Sequence, residues 1–512
     1  MATGPRPRRG RKRRETEGPT TPAQPWSPGR RAFGPVDLLE PEQVETIHDK
    51  SLELLRDIGI EFMLPEAWDI LERNGASVDR ETGIARFDPA AVEDWIARAP
   101  EAFELRARNP ERDLFFGGDA LIYGSASSAP NVMDLDRGRR PGTGEDFMKL
   151  VRLNHMLGTC GLMCGHPVEP IDRPPNTRHL HTTYDFLTLS DKAFRAYGIG
   201  RTRVEDALEM IMIAHGLDRA ALAEAPRTLT VLNVNSPLKV DAPLLEGSME
   251  LVRNGQIVVV SPVAFAGAMS PVTLSGSLIQ HNAECLACIA FLQMVQPGAP
   301  VFYGSLITNV DLKSGAPAMG TPETVTGTLA TGQLARRYNI PQRLMCGSTS
   351  NAVDAQAAYE TMFSLWSAYL CGAHLMYHAH GWMEAGLTTS YEKTIVDAEM
   401  IRMMNALSTP IDLSDADEAL AAIKSVGPGG HFFGTEHTLA RYKTAFHLPI
   451  LSDWRAYEFW EAAGAEDTAQ RANGMWKELL AAYERPAIDP ARDEALRAYV
   501  ACREAEIGTG DV

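Results

Sequence analysis

The chain of 512 residues is 45% hydrophobic and 22% charged, so it has ample apolar material for the core of an ordinary soluble globular protein. Its formal net charge of -17 at pH 7 argues against a broad electrostatic surface for nucleic acid or anionic membranes, and favours small molecules or proteins as partners. The most apolar window, residues 257–269, is too short to span a membrane, and seven scattered cysteines are typical of a reduced protein of the cytoplasm.

The two ends of the chain differ from its centre. Residues 1–32 carry seven basic residues between Arg6 and Arg14, followed by Pro, Thr and Ser, which predicts a disordered basic tail. Residues 33–118 contain apolar side chains at helical spacing and predict a helical segment that packs on the main body. Residues 408–512 predict a C-terminal helical extension.

Between residues 119 and 407, short apolar runs alternate with amphipathic helical patterns. The runs are residues 120–125, 159–166, 193–200, 228–236, 256–263, 300–305, 342–348 and 373–380. Strands that alternate with helices must run parallel, and eight such units close naturally into a ring. The sequence therefore predicts an α/β protein built on a (β/α)8 TIM barrel, with an N-terminal helical segment and C-terminal helices.

Active sites of such barrels form at the C-terminal ends of the strands, and here those ends are rich in aromatic side chains. The aromatic residues at or just beyond the strand ends are Tyr123, Tyr197, Tyr303, Tyr377, Trp382 and Tyr391. Ring faces attract cations, so this set predicts a cage for a quaternary ammonium group. The alternative for each tyrosine is a half-buried side chain with a bonded hydroxyl. Arg343 or His378 would receive a carboxylate on the same ligand.

Two histidines, His378 and His380, lie two residues apart at the end of the eighth run, and strand alternation predicts that they point the same way. With His166 they suggest a metal-dependent lyase or hydrolase as one alternative. No Asp or Glu ends any of the eight runs, so we expect no tightly bound metal. The usual motifs of hydride transfer, phosphoryl transfer and serine hydrolysis are missing.

Six ordered segments together resemble the trimethylamine:corrinoid methyltransferase family. They are YGSASSAPNVMDLD (123–136), AMSPVTLSG (268–276), GAPAMGTPE (315–323), STSNAVDAQAAYE (348–360), GWMEAGLTTSYEKTIVDAEMI (381–401) and GPGGHFFGTEHTL (427–439). The resemblance covers about residues 33–460. It implies a (β/α)8 barrel that presents a small methylated amine to the cobalt of a corrinoid held by a separate protein.

The resemblance also limits the range of methyl donors that we expect as substrates. Archaeal trimethylamine enzymes of this family carry pyrrolysine after the seventh strand, whereas residues 347–354 of this chain are ordinary amino acids. Members without pyrrolysine resemble enzymes for quaternary amines, so the resemblance implies glycine betaine as methyl donor and dimethylglycine as product. Trimethylamine, proline betaine and carnitine remain alternative donors, and a barrel that binds a quaternary amine without catalysis is a further alternative.

In this interpretation the catalytic candidates are His378 and His380. Tyr123, Tyr377 and Trp382 form cage walls, and Arg343 with one of the histidines binds the carboxylate. The corrinoid-binding protein and the quaternary amine are the expected partners. Barrels of this size often pair, so a homo-oligomer is also expected.

Overall fold

The computed structural model describes Trp26 and residues 28–508, and the structural statements below concern these residues. Most of the predicted basic tail lies outside them. Gly29–Arg30 nevertheless forms a strand, β1, which pairs antiparallel with Ala120 and Leu121. The described fold therefore begins before residue 33.

The N-terminal segment contains three helices together with short strands. Its helices are α1 (Pro41–Asp57), α2 (Pro65–Arg73) and α3 (Pro89–Ile96). Its further strands are β2 (Ile60–Phe62), β3 (Ser77–Asp79), β4 (Ile84–Arg86), β5 (Phe103–Leu105) and β6 (Leu114–Phe116). Helix α1 buries Val44, Ile47 and Leu55, whose spacing places them on one face.

The central region contains a strand in each of the eight predicted runs. Its strands are β7 (Ala120–Tyr123), β8 (Asn131–Asp134), β9 (Gly138–Pro141), β10 (Leu162–Met163), β11 (Ala193–Arg195), β12 (Thr228–Val234), β13 (Lys239–Val240), β14 (Ile257–Pro262), β15 (Ala264–Ala266), β16 (Val301–Ser305), β17 (Ile307–Asn309), β18 (Gln342–Met345), β19 (Leu375–Tyr377), β20 (Trp382–Met383) and β21 (Thr388–Ser390). Its helices are α4 (Gly144–Met156), α5 (Arg178–Leu189), α6 (Arg201–His215), α7 (Arg219–Glu224), α8 (Ala242–Arg253), α9 (Leu274–Val295), α10 (Pro322–Arg337), α11 (Ala355–Cys371) and α12 (Tyr391–Ala406).

Eight of these strands, together with β1, form one curled nine-stranded sheet in the order β1-β7-β19-β18-β16-β14-β12-β11-β10. Every neighbouring pair is parallel except β1 with β7. Backbone hydrogen bonds also link the end of β7 to β10. The amide of Ser125 donates to the carbonyl of Leu162 at 2.9 Å, and the amide of Gly161 donates to the carbonyl of Tyr123 at 2.8 Å. The fold is therefore mixed α/β around a strongly curved parallel sheet.

Both faces of this sheet are buried. One face packs on the surrounding helices, and the other holds an interior apolar cluster that includes Leu229, Val259 and Phe302. The β5–β6 hairpin closes the end of this cluster near the strand N-termini, where the rings of Phe116 and Phe302 lie 4.9 Å apart in an edge contact. Strands with two buried faces appear as continuous apolar runs, which explains why the sequence pattern located them.

Helix α9 is the one described helix long and apolar enough to cross a membrane by length and composition. Within its most apolar window, 89% of the residues are buried inside the protein, as in a core helix. The N-terminal segment packs on it, since the hydroxyl of Ser51 on α1 donates to the carbonyl of Ile279 at 3.0 Å. The amide of Asn282 in turn donates to the Ser51 hydroxyl at 3.0 Å.

The C-terminal region is helical. Its helices are α13 (Ala416–Val426), α14 (Glu436–Arg441), α15 (Tyr457–Ala462), α16 (Thr468–Ala481) and α17 (Pro490–Ile507). Asn473 and Trp476 of α16 both donate to Glu392 of α12, at 2.8 and 3.0 Å. Tyr499 of α17 donates to Asp206 of α6 at 2.9 Å. Helices α13, α14 and α15 bury no residue.

Candidate functional site

Strand β18 carries a buried arginine on the inner side of the sheet, and this arginine has no acidic partner among the described residues. Arg343 on β18 is 3% exposed, donates from Nη1 to the hydroxyl of Ser261 at 3.1 Å, and holds its guanidinium carbon 4.0 Å from the centroid of the Tyr377 ring. Its Nε has no hydrogen-bond partner among the described residues. Burial is the main cause that lowers the pKa of Arg343, to about 10. The group is still a cation at neutral pH.

A second guanidinium lies close to the first. Arg195, the last residue of β11, donates from Nη1 to the hydroxyl of Ser127 at 3.3 Å and to the carbonyl of Cys164 at 3.4 Å, and its Nε is also unpartnered among the described residues. The charge of Arg195 contributes to the lowered pKa of Arg343. Buried Arg343 and half-buried Arg195 thus lie close together, and no described carboxylate forms an ion pair with Arg343. A buried charge of this kind is costly unless a ligand neutralises it.

His378 connects these cations to an aromatic wall. Its Nδ1 accepts a hydrogen bond from the backbone amide of Ser127 at 3.1 Å, so we assign the ring proton of the neutral imidazole to Nε2. Burial, and then the charges of Arg343 and Arg195, hold the pKa of His378 well below its usual value. His378 is therefore a neutral donor at pH 7, and its ring stacks on Trp382 with centroids 4.1 Å apart.

Trp382 belongs to a small buried group contributed by the loops at the strand ends, which we call the apolar wall. Its buried members are Ala126, Leu306, Met319 and Trp382. Two glycines make room for the indole. A Cβ on Gly347 would lie 2.5 Å from Cε3 of Trp382, and one on Gly386 would lie 2.4 Å from Cζ2. The wall offers apolar surface and an indole beside a cationic cluster.

The structure separates the two histidines that strand alternation placed together. Strand β19 ends at Tyr377, and His378 adopts a positive φ of 59°, so the two-residue period no longer applies. His380 is fully buried, with Nε2 3.0 Å from the Thr159 hydroxyl and Nδ1 3.1 Å from the carbonyl of Gly124. Burial lowers the pKa of His380 to about 3. His380 is therefore held within the core, away from Trp382.

His166 is also fully engaged. Its Nδ1 lies 3.0 Å from Glu169 and its Nε2 lies 3.0 Å from the Thr182 hydroxyl. Its ring stacks on Tyr197 with centroids 5.7 Å apart. Among the described residues, no group of three or more His, Cys, Asp or Glu side chains is arranged to hold a metal ion. A metal site built from His166, His378 and His380 would need these imidazoles to give up their present partners.

Three of the predicted cage tyrosines lie outside the cluster, which corrects their expected position. Tyr123 and Tyr303 project from the opposite face of the sheet into the helical layer, where the Tyr303 hydroxyl donates to Asn282 at 3.0 Å. Tyr391 donates to Asp146 at 3.1 Å and packs on Trp476. Tyr377, Trp382, His378 and Arg343 are brought together as expected.

Arg195, Ser127 and Ser261 were not among the predicted site residues. Arg195 stands in a predicted strand between Phe194 and Ala196, and a charged side chain inside an apolar run was the available signal. Ser127 had no distinguishing pattern, whereas Ser261 lies near the end of the apolar run 256–263, where site residues were expected.

Comparison with known proteins agrees with the sequence motifs. The chain matches the family model described as "Trimethylamine methyltransferase (MTTB)" over residues 6–508. It is 36% identical to the "Glycine betaine methyltransferase" of Desulfitobacterium hafniense (strain Y51) over 474 residues, which cover 92% of this chain and 98% of that protein. It is 30% identical to the "Trimethylamine methyltransferase MttB" of Desulfitobacterium hafniense (strain DSM 10664 / DCB-2), over 91% of this chain and 94% of that protein.

Two further proteins are similar at greater distance. The "Trimethylamine methyltransferase MttB" of Methanosarcina thermophila is 28% identical, over 89% of this chain and 95% of that protein. The solved structure of the Methanosarcina barkeri monomethylamine methyltransferase (MtmB) aligns with a TM-score of 0.48 and 11% identity, over 88% of this chain and 96% of that one.

Proposed function

The chain belongs to the trimethylamine methyltransferase family, and from this premise we propose that it transfers a methyl group from glycine betaine to the Co(I) of a corrinoid carried by a separate protein. The observation that carries the choice of substrate is Arg343, a buried cation beside Tyr377 that has no acidic partner in the described part of the chain. Glycine betaine has the complementary groups, a carboxylate for the guanidinium and a trimethylammonium group for aromatic faces. Trimethylamine would leave Arg343 unpaired.

The proposed reaction requires little acid or base catalysis from the protein. The N–CH3 bond breaks with its electron pair left on nitrogen, the Co(I) electron pair forms the new bond to carbon, and the products are dimethylglycine and methyl-Co(III) corrinoid. Because nitrogen leaves as a neutral tertiary amine, no proton has to be delivered to it. A site that contains neutral His378 and two arginines suits this reaction.

The residues of this chain would bind and orient the substrate. Arg343 and Arg195 hold the carboxylate, with Nε2–H of His378 as a further donor, and Trp382 receives the ammonium group. Holding one methyl group in line with an acceptor and excluding water accounts for the catalysis in this proposal. Tyr377 keeps Arg343 in place through the ring contact. His380, although predicted as catalytic, is left out because both of its nitrogens are engaged.

We also propose that the curved sheet closes as a (β/α)8 barrel, which would give the site a single mouth. Support comes from the two backbone hydrogen bonds between β7 and β10, and from an isolated parallel bridge between Gly124 and Leu162. Those contacts join the first of the eight strands to the second, as closure of a ring would require.

The loops at the strand C-termini carry exposed apolar side chains, which we call the rim. The rim consists of Leu135, Ile171, Ile199, Val272, Leu312 and Leu387. Each follows a different strand of the eight, so the set surrounds the proposed mouth. Exposed apolar residues grouped in this way mark protein contact surfaces. We propose that the corrinoid protein docks on the rim.

A substrate comparison tests the proposed function. Purified protein is incubated with cob(I)alamin and one amine at a time, and methylcobalamin is followed by its absorbance. We expect product from glycine betaine, and about 100-fold less from choline, which has the same trimethylammonium group but a hydroxyl in place of the carboxylate. Methyl transfer from trimethylamine and from no quaternary amine would overturn the proposal.

A further inference from the structure

Residues 409–447, which we call the arm, follow α12 and contain α13 and α14. Neither helix buries a residue. The arm exposes large apolar side chains instead, with Phe433 85% and Phe446 78% exposed. Ile411, Leu413, Ile423 and Tyr442 are exposed as well. At roughly 150 Å² for a large apolar side chain, these six present on the order of 600 Å², against about 800 Å² per partner in a standard stable interface.

The arm has little within its own chain to hold its shape. His437 pairs with Asp415 at 2.9 Å and Arg441 pairs with Glu418, which joins α14 to α13. These ion pairs are partly or largely exposed, and exposed pairs contribute only about 0–1 kcal/mol each. Without a core of its own, the arm needs a surface outside its own chain to cover its apolar residues.

The arm leaves the protein at the end opposite the proposed site. The hydroxyl of Ser408 donates to the carbonyl of Arg30, and Arg30 pairs with Ala120, the first residue of β7. Strand β7 begins at the N-terminal end of the parallel sheet, whereas Arg343 and Trp382 lie toward the C-terminal ends. A methyl acceptor must reach the C-terminal ends, so the arm faces a different partner. This step alone rests on the proposed function.

A second exposed apolar patch surrounds the point where the arm leaves, and we call it the root patch. It consists of Phe33, of Met403 in the last turn of α12, and of Leu407, the residue that follows α12. The ring of Phe33 lies 5.1 Å from that of Tyr369, whose hydroxyl is 3.4 Å from the Ser408 hydroxyl. One chain therefore displays both an apolar arm and an apolar patch at the same end.

We propose that two copies of this chain exchange their arms, so that the arm of each copy covers the root patch of the other. A two-fold axis makes both contacts equivalent, and closure around that axis covers each root patch with apolar side chains of the partner's arm. An interface this apolar, formed by a segment without its own core, is of the permanent kind. A corrinoid protein that binds and leaves in each cycle is a poor match for such a surface.

Sedimentation velocity of the full-length protein tests the exchange. We expect the wild-type protein to sediment as a dimer, or as a larger closed assembly of dimers, at micromolar concentration. The dimer of the double variant Phe433→Ser with Phe446→Ser should have a Kd for dissociation into monomers at least tenfold higher than that of the wild-type dimer. The matched control is Ile58→Ser, which removes an exposed apolar side chain at the end of α1 and should leave the assembly unchanged.

The same samples separate lost assembly from lost folding. Because the arm contributes nothing to the buried core, the far-ultraviolet circular dichroism of the double variant should match that of the wild type. A monomeric wild-type protein at tens of micromolar, or a double variant as dimeric as the wild type, would overturn the exchange. Failure of the substrate comparison would leave this measurement unaffected.

Discussion

Arg343 lies with its guanidinium carbon 4.0 Å from the centre of the Tyr377 ring, and no described acidic side chain pairs with it. A cation–π contact offsets only part of the cost of burying a guanidinium. The molecule therefore keeps a costly charge in its interior, as expected where stability is given up for ligand binding. In the proposed function, the carboxylate of glycine betaine neutralises this charge.

Replacing Arg343 tests the carboxylate contact. Arg343→Met should lower kcat/KM for glycine betaine by about 100-fold, the loss expected when one strong charge-assisted contact disappears. Arg343→Lys keeps the charge but loses the fork geometry, so its loss should be smaller. The assay is methylcobalamin formation at varied glycine betaine. A kcat/KM within about twofold of wild type for Arg343→Met would exclude the contact.

The stability of the same variant provides a second, independent expectation. Arg343 has no counter-ion, so Arg343→Met should leave the Tm unchanged or raise it. Lys393 is the matched contrast, because it pairs with Asp397 and both side chains are 1% exposed. Lys393→Met leaves the carboxylate of Asp397 unpaired and should cost about 3–5 kcal/mol. Equal destabilisation by the two substitutions would mean that Arg343 has a partner in the folded protein.

The stability of the protein should depend on the protonation of buried histidines. Burial lowers the pKa of His281 and His380 to about 3, and that of His215 and His374 to about 4. In the unfolded chain these groups take up protons below about pH 6.5, whereas in the folded protein they do so only near pH 3 to 4. Their contribution is therefore fully present above pH 6.5 and is lost progressively as the pH falls toward 4.

A single substitution isolates this effect from that of buried acids such as Asp397, whose raised pKa acts in the opposite direction. His281→Leu removes one buried imidazole that lacks a partner on Nε2. As the pH falls from 6 to 4.5, the free energy of unfolding of the variant should rise relative to that of the wild type by about 1.4 kcal/mol per pH unit. Urea unfolding at several pH values measures the difference. A difference that is constant across this range would show that His281 titrates normally.

The sequence located the eight central strands because each is a short apolar run with both faces buried. Because both faces of these strands are apolar, the sequence pattern does not show which face points into the interior of the sheet. In β7 and β16 both faces are apolar, so nothing in the pattern distinguished Tyr123 and Tyr303, which face the helices, from Tyr377, which faces the interior. The side of the sheet on which a side chain lies depends on the register between paired strands, and the sequence of one strand does not specify that register.

The histidine prediction failed for a local reason. His378 turns the chain at a positive φ, a conformation uncommon for residues other than glycine, and no glycine marked the turn at that position. Arg343 and Tyr377, both predicted site residues, come into contact because β18 and β19 are adjacent parallel strands. The partnership of Arg195 with Arg343 needed the three-dimensional spacing of β11 and β18, which are not neighbours in the sheet.

The rim predicts a difference between two methyl acceptors. Leu312 is 75% exposed, so the Leu312→Ser variant loses apolar surface without disturbing the core. Its side chain lies beside Gly267, where an added Cβ would be 3.4 Å from it. We expect Leu312→Ser to slow methyl transfer to the cognate corrinoid protein about tenfold, through weaker docking. Transfer to free cob(I)alamin should stay unchanged. Equal rates with the corrinoid protein for wild type and variant would remove Leu312 from the docking surface.

The packing of Trp382 predicts a further effect on substrate binding. Gly347→Ala places a methyl group about 2.5 Å from the present position of Cε3 of Trp382, so the indole must move. Displacement of a substrate-positioning ring should lower kcat/KM for glycine betaine about tenfold or more. Gly474→Ala is the control, because nothing lies within 4 Å of its added Cβ on α16. If Gly347→Ala lowers the Tm but leaves kcat/KM of the folded protein at the wild-type value, Trp382 packs the loops without contacting the substrate.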